Sequence, residues 1–211
     1  MHRLLTIVSI FLGLMLTMAS TAAAQGVTPC QVSDETVAAI RQMLTAPDNG
    51  IFFDIWTREE IACACIELYY DDPQDAPFHD RVIAGAIVLL GKTEDPRAVA
   101  VLIDAIDSHG PQALYALGNF PTVEALNALV ANVRNDDPES RENAAEGLRH
   151  MPAPPDNAIP DGWVDALKAA IDEVGDWMMI EPEPTFKDYF LDAHYNLTQL
   201  LAQAQSATAP N

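Results

Sequence analysis

One stretch of this chain is written twice. Val99, Leu102, Ile103 and Ile106 return as Leu126, Leu129, Val130 and Val133, each 27 positions on (126 − 99). Just upstream, Ala86, Ile87, Leu90 and Gly91 return as Ala113, Leu114, Leu117 and Gly118 with the same offset (113 − 86). The first set has the i, i+3, i+4, i+7 spacing of one helix face, and the second is made of two i, i+4 pairs. Two helical stripes that keep one offset describe a helix pair that recurs. A single pair cannot bury its apolar stripe alone, so recurrence predicts pairs stacked on one another around a continuous core. Strand-like alternation is nearly absent. The predicted class is all-α: a short α-solenoid of about four helix pairs with N- and C-terminal capping helices.

The pattern extends in both directions. Thr57, with Glu60 three residues later, has the form of a capping box. The helix it opens carries Ile61, Ala64, Cys65 and Leu68 on one stripe, until Asp71-Asp72-Pro73 stops it. Its partner is expected over 78–91. The second pair is predicted at 96–107 and 111–120, and the third at 121–134 and 138–151. A fourth begins with Val164, Leu167 and Ile171, 38 positions after Leu126, Leu129 and Val133 (164 − 126), with Lys168 interrupting its stripe. The last helix, over 186–203, sets Phe186, Phe190, Leu197 and Leu200 against Asp188, Asp192 and Gln199, the two-sided pattern of a terminal cap. Pro96, Pro111, Pro121 and Pro138 stand where helices start and a missing N–H costs little, with Asp95 and Asp137 placed to cap. Residues 25–56 are predicted as an N-terminal helical cap, 57–204 as the repeat domain and 205–211 as a disordered tail. Within the cap, Ser33-Asp34-Glu35 reads as a helix start and Pro47-Asp48-Asn49-Gly50 as its end.

Before all this stand Arg3, an apolar run over 4–18 and Ala22-Ala23-Ala24, the layout of a secretory signal peptide over 1–24. The run is shorter than the roughly 20 residues that span a bilayer; an uncleaved anchor is the alternative. The expectation is a periplasmic or secreted protein, without membrane insertion after signal cleavage. Charge is lopsided, with 11 Lys+Arg against 31 Asp+Glu and a formal net charge of −20. Such a field repels phosphate backbones and favours cationic partners, so nucleic acid is not expected to bind.

Three cysteines in an exported chain imply one disulfide and one free thiol. Cys63 and Cys65 lie two apart on a helix and point away from one another, so Cys30 belongs to any bond that forms. Cys65 falls on the apolar stripe and Cys63 off it. That favours Cys30–Cys63, with Cys30–Cys65 left open.

The segments DPRAVAVLIDAI and GPQALYALGNF resemble HEAT-like repeats, in particular the short form of phycobilisome-lyase-like proteins. Asp95-Pro96, Ala98-Val99 and Leu102-Ile103 carry the first-helix pattern; Ala113, Leu117 and Gly118 carry the second. TVEALNALVANV and DPESRENAAEGLRHM repeat it, with Arg149 in place of the glycine. The resemblance covers 82–151. It implies a protein-interaction scaffold; the tetrapyrrole-handling branch of the family has no counterpart here in a cysteine beside a positive clamp.

No HExxH, GxSxG or glycine-rich phosphate loop is present, and His109-Gly110-Pro111 reads as a turn. No cofactor or metal is expected: Asp71-Asp72-Pro73-Gln74-Asp75 gathers oxygens but lacks the spacing and the glycine of a calcium loop. The candidate contacts are two. Tyr69 and Tyr70, beside Asp71 and Asp72, mix ring faces and carboxylates in a way suited to a cationic protein or peptide. Trp177, Met178 and Met179, with Ile180, form an apolar patch in a loop rich in proline and acid, which either packs on the fold or contacts a partner. The functional expectation is a non-enzymatic protein–protein interaction scaffold of the bacterial cell envelope. The alternatives are an accessory subunit or chaperone of an envelope enzyme or cofactor protein, and a carboxylate-based hydrolase.

Overall fold

The structure, a computed structural model, describes residues 30–46, 55–155 and 158–208. The signal segment, the expected helix stop at Pro47-Asp48-Asn49-Gly50 and residues 209–211 lie outside it. Nine helices and no strand occur among the described residues: α1 (Asp34–Thr45), α2 (Arg58–Asp71), α3 (His79–Thr93), α4 (Ala98–Asp104), α5 (Ile106–Leu117), α6 (Val123–Asn132), α7 (Pro138–His150), α8 (Trp163–Ile180) and α9 (Pro184–Thr208).

Local chemistry accounts for most helix starts. Ser33 accepts a hydrogen bond from the Thr36 N–H, Thr122 from Ala125 and Asp137 from Ser140, while Thr57 and Glu60 form the reciprocal capping box. Pro138 takes the first helical position of α7. Asp95 accepts from the Arg97 N–H at 3.0 Å, and α4 begins one residue later, at Ala98 rather than at Pro96.

The break expected between the two helices of the second pair is sharper than a loop. Helical turns run on through 106–117, but His109 leaves helical geometry at φ −138°, ψ 45°. Pro111 enforces this pivot, because its ring has no N–H to offer the preceding turn and clashes with it.

Helix contacts form two rows. α2, α4, α6 and α8 touch in succession, as do α3, α5, α7 and α9, and each helix of the first row packs on the one that follows it in sequence. This packing is consistent with helical repeats. α1 closes one end against α2 and α3. The stripes that carry the 27-residue offset meet in the centre: Ala86, Ile87, Leu90, Leu102, Ala113, Leu114, Leu117, Leu126 and Leu129 are all inaccessible to solvent. Their burial supplies the main driving force, at about 25 cal/mol per Å² of apolar surface.

Small residues set the helix spacing in the second row. A Cβ on Gly118 would stand 2.5 Å from the Gly147 Cα, and one on Gly91 would stand 2.7 Å from the Ala116 Cβ. α5 and α7 therefore cross glycine on glycine. The sequence pattern placed Arg149 at the third glycine; Gly147, one half-turn earlier, makes the contact.

Two further boundaries differ from expectation. α8 continues through Trp177, Met178, Met179 and Ile180, so this patch is helical and not part of a loop. α9 continues through 205–208, which were expected to be disordered: Ala204 is buried, and the Ser206 and Thr208 hydroxyls donate to the carbonyls four residues back.

Candidate partner-binding cleft

The end of α2, the turn after it, the start of α3 and the pivot in α5 enclose a cleft of about 370 Å³. Its walls include Tyr69, Tyr70, His79, Asp80, Ser108 and His109. The two tyrosines arise from the last turn of α2, where consecutive side chains diverge, and their rings meet edge to face at 5.1 Å. Tyr69 packs against the core, whereas Tyr70 is 56% exposed.

The Tyr70 hydroxyl donates to Asp104 Oδ2 at 2.9 Å, which ties the α2 end to α4. Burial and this hydrogen bond push the Tyr70 phenol up to about 12. Burial and the Asp104 charge push Tyr69 up as well. Both stay protonated at neutral pH and present ring faces framed by carboxylates. Exposed Asp80 lines the cleft and exposed Asp104 holds the Tyr70 hydroxyl, so carboxylates stand beside the rings.

Asp72 requires a correction. The sequence grouped it with Asp71 as a contact for a partner, but its side chain is 1% exposed and turned inward. Its carboxylate accepts from Arg41 Nε on α1 and lies 3.1 Å from His79 Nδ1 on α3. Burial pushes the Asp72 carboxyl up, but the hydrogen bonds from Arg41 and His79 outweigh burial and hold it below its ordinary value. Asp72 is thus a bolt between α1, α2 and α3 that shapes the cleft floor, while Asp71 remains exposed.

His79 and His109 enter the site through the fold. The tight turn after Asp72 swings His79 back beside it, and the α5 pivot aims His109 toward the tyrosines, with its Nδ1 3.0 Å from Ser108 Oγ. Neither was singled out as a contact by the sequence; the signal available was the histidine at a proline-forced break. Among the described residues no group of three or more His, Cys, Asp or Glu stands close enough to hold a metal ion. The arrangement offers hydrogen bonds, ring faces and negative charge to a ligand.

The second sequence candidate is split by the structure. The Trp177 indole packs on the core, its Nε1 donates to Glu181 Oε2 at 2.8 Å, and the Arg134 guanidinium lies over its ring at 5.6 Å. Met178 is partly buried, and Met179 and Ile180 are 73% and 61% exposed. Glu181, which follows this patch and precedes Pro182, is almost fully buried. Besides Trp177 it receives the Glu183 N–H at 2.9 Å and pairs with Arg141 Nε at 3.3 Å. Trp177 and Glu181 therefore fasten the α8–α9 turn to α7, leaving only Met179 and Ile180 as an apolar edge.

A smaller groove of about 200 Å³ runs over the second row, between α3, α5 and α7. Val88 and Tyr115, both about half exposed, form its apolar part, with Lys92, Gln112, Glu139 and Asn143 around them. No helix among the described residues is long and apolar enough to cross a membrane. No protein-family model, curated protein or solved structure matches the chain.

Proposed function

We propose that this chain is an exported, non-enzymatic scaffold of HEAT-like type that binds a cationic segment of another protein. In this reading α2/α3, α4/α5, α6/α7 and α8/α9 are four stacked repeats of a short solenoid, α1 caps its start, and the far side of α9 finishes it. The two contact rows and the 27-residue offset support the repeat reading. One observation carries the functional reading: the cleft at the α2–α3 edge combines a half-exposed Tyr70 ring with the carboxylates of Asp80 and Asp104, on a chain of net charge −20. A lysine or arginine inserted there meets a ring face and carboxylates together, each contact being worth about 0.5–1 kcal/mol at an exposed site.

Fluorescence anisotropy with a labelled Lys/Arg-rich peptide tests the reading. Binding is expected to weaken strongly between low and high salt. It should fall about tenfold in a Tyr70→Ala, Asp80→Asn double variant, while an acidic peptide of equal length stays unbound. Equal binding of both peptides, or no loss in the double variant, removes the cleft from consideration.

A second reading is favoured by the groove over α3, α5 and α7. Half-exposed Val88 and Tyr115 suit an apolar partner held in a lasting complex, as in an accessory subunit or chaperone. Such binding persists at high salt and is disrupted by Tyr115→Ala rather than by Tyr70→Ala.

A further inference from the structure

The start of the described chain lies across α2. Val32 packs against the core, and two residues earlier the Cys30 thiol comes within interaction range of the Cys63 thiol. Cys63 is wholly inaccessible to solvent, yet it lies apart from the apolar core cluster that takes in its neighbours Ala62, Ala64 and Cys65. Cys63 thus faces the N-terminal lead and the Arg97 end of α4, where the Arg97 guanidinium acts electrostatically on both Cys30 and Cys63. Cys65 points into the core instead and is 0% exposed. All three cysteines are thiols in this structure.

From this juxtaposition we infer that Cys30 and Cys63 form an intramolecular disulfide that staples the N-terminal lead to α2, with Cys65 left as a buried free thiol. The oxidant is a small or protein disulfide of the thiol-exchange class. The exposed Cys30, as its thiolate, attacks one sulfur of that disulfide and expels the other as a thiolate. The Cys63 thiolate then attacks Cys30 in the mixed disulfide, forms the Cys30–Cys63 bond and expels the second thiolate. Two protons leave the protein and two electrons reduce the oxidant to two thiols. Partial desolvation, together with the neighbouring Cys63, pushes the Cys30 thiol up to about 12, so little of it is thiolate at neutral pH.

The bond is read directly on the full chain, purified reduced and then equilibrated with oxidised and reduced glutathione. Alkylation in denaturant without reductant is expected to label Cys65 alone. Cys63 and Cys65 share the tryptic peptide between Arg58 and Arg81, so fragmentation between the two, with C65S as a second check, assigns the partner of Cys30. The expected product is lighter than the reduced chain by two hydrogen atoms and remains monomeric. In both wild type and C65S its thermal midpoint should fall on reduction, and in C30S it should not respond to reductant. Recovery of Cys30 as a free thiol or glutathione adduct overturns the inference, as does a Cys30–Cys65 link or a dimer joined through Cys30. Because the readout needs no partner, it is independent of the proposed scaffold role.

Discussion

Asp72 shows how one residue read as surface chemistry can be structural. It sits in a run of acids after a helix end, a context in which carboxylates are ordinarily solvated, and sequence periodicity carries no information about Arg41, 31 residues away. Asp72→Asn leaves Arg41 and His79 facing a neutral amide and should destabilise the fold by about 1–3 kcal/mol, measured by urea unfolding. The pH dependence follows in sign. A carboxyl held below its ordinary value contributes stability that is present above the unfolded value of about 3.9 and is lost as pH falls through the folded one. The acid limb of the stability curve should therefore flatten in Asp72→Asn. An unchanged limb means that other carboxylates govern acid unfolding. Cys30 offers a second residue-scale outcome. With its thiol near 12, alkylation of the reduced native protein should be slow at neutral pH and keep rising about tenfold per pH unit beyond about pH 9, where an ordinary thiol levels off. A plateau near pH 9 contradicts that environment.

At the scale of elements, the glycine crossing of α5 and α7 makes a firm expectation. Gly118→Ala places a methyl 2.5 Å from backbone that cannot yield like a flexible side chain, so the helices must separate. A loss of about 1–3 kcal/mol or more is expected in chemical denaturation. Gly162→Ala is a useful contrast: its Cβ meets nothing within 4 Å, and its cost arises from the left-handed backbone at φ 78°. Much of the helix layout was legible in the sequence, because stripe spacing, Thr57, Asp137 and Pro138 are local signals that tertiary contacts reinforced. Where the reading missed, long-range partners decided. Glu181 opens the run Glu181-Pro182-Glu183-Pro184 and looks solvated, but Arg141, some forty residues earlier, and Trp177, one turn back, draw it inside. The same contacts carry α8 on to Ile180, past the point where the proline-rich sequence suggested a loop. Half of the candidate site was legible, as Tyr69 and Tyr70. His79 and His109 joined it only through a turn and a pivot whose directions sequence alone leaves undetermined.

For the whole molecule, the excess of acid is the property that most restricts partners. A chain of net charge −20 attracts basic proteins over distances of about 10 Å at 0.1 M salt and loses that attraction as salt rises. The two contact rows place the cleft at the first edge and the Val88–Tyr115 groove across the middle of the second row, so two partners of different chemistry can be told apart by salt alone. The most direct test of the scaffold account is quantitative capture from extract of the producing cells, with wild type and the Tyr70→Ala, Asp80→Asn variant side by side at low and high salt. The account predicts one stoichiometric basic protein with wild type at low salt, released by salt and absent from the variant. Equal recovery of the same proteins by both forms, or recovery that survives high salt, contradicts it.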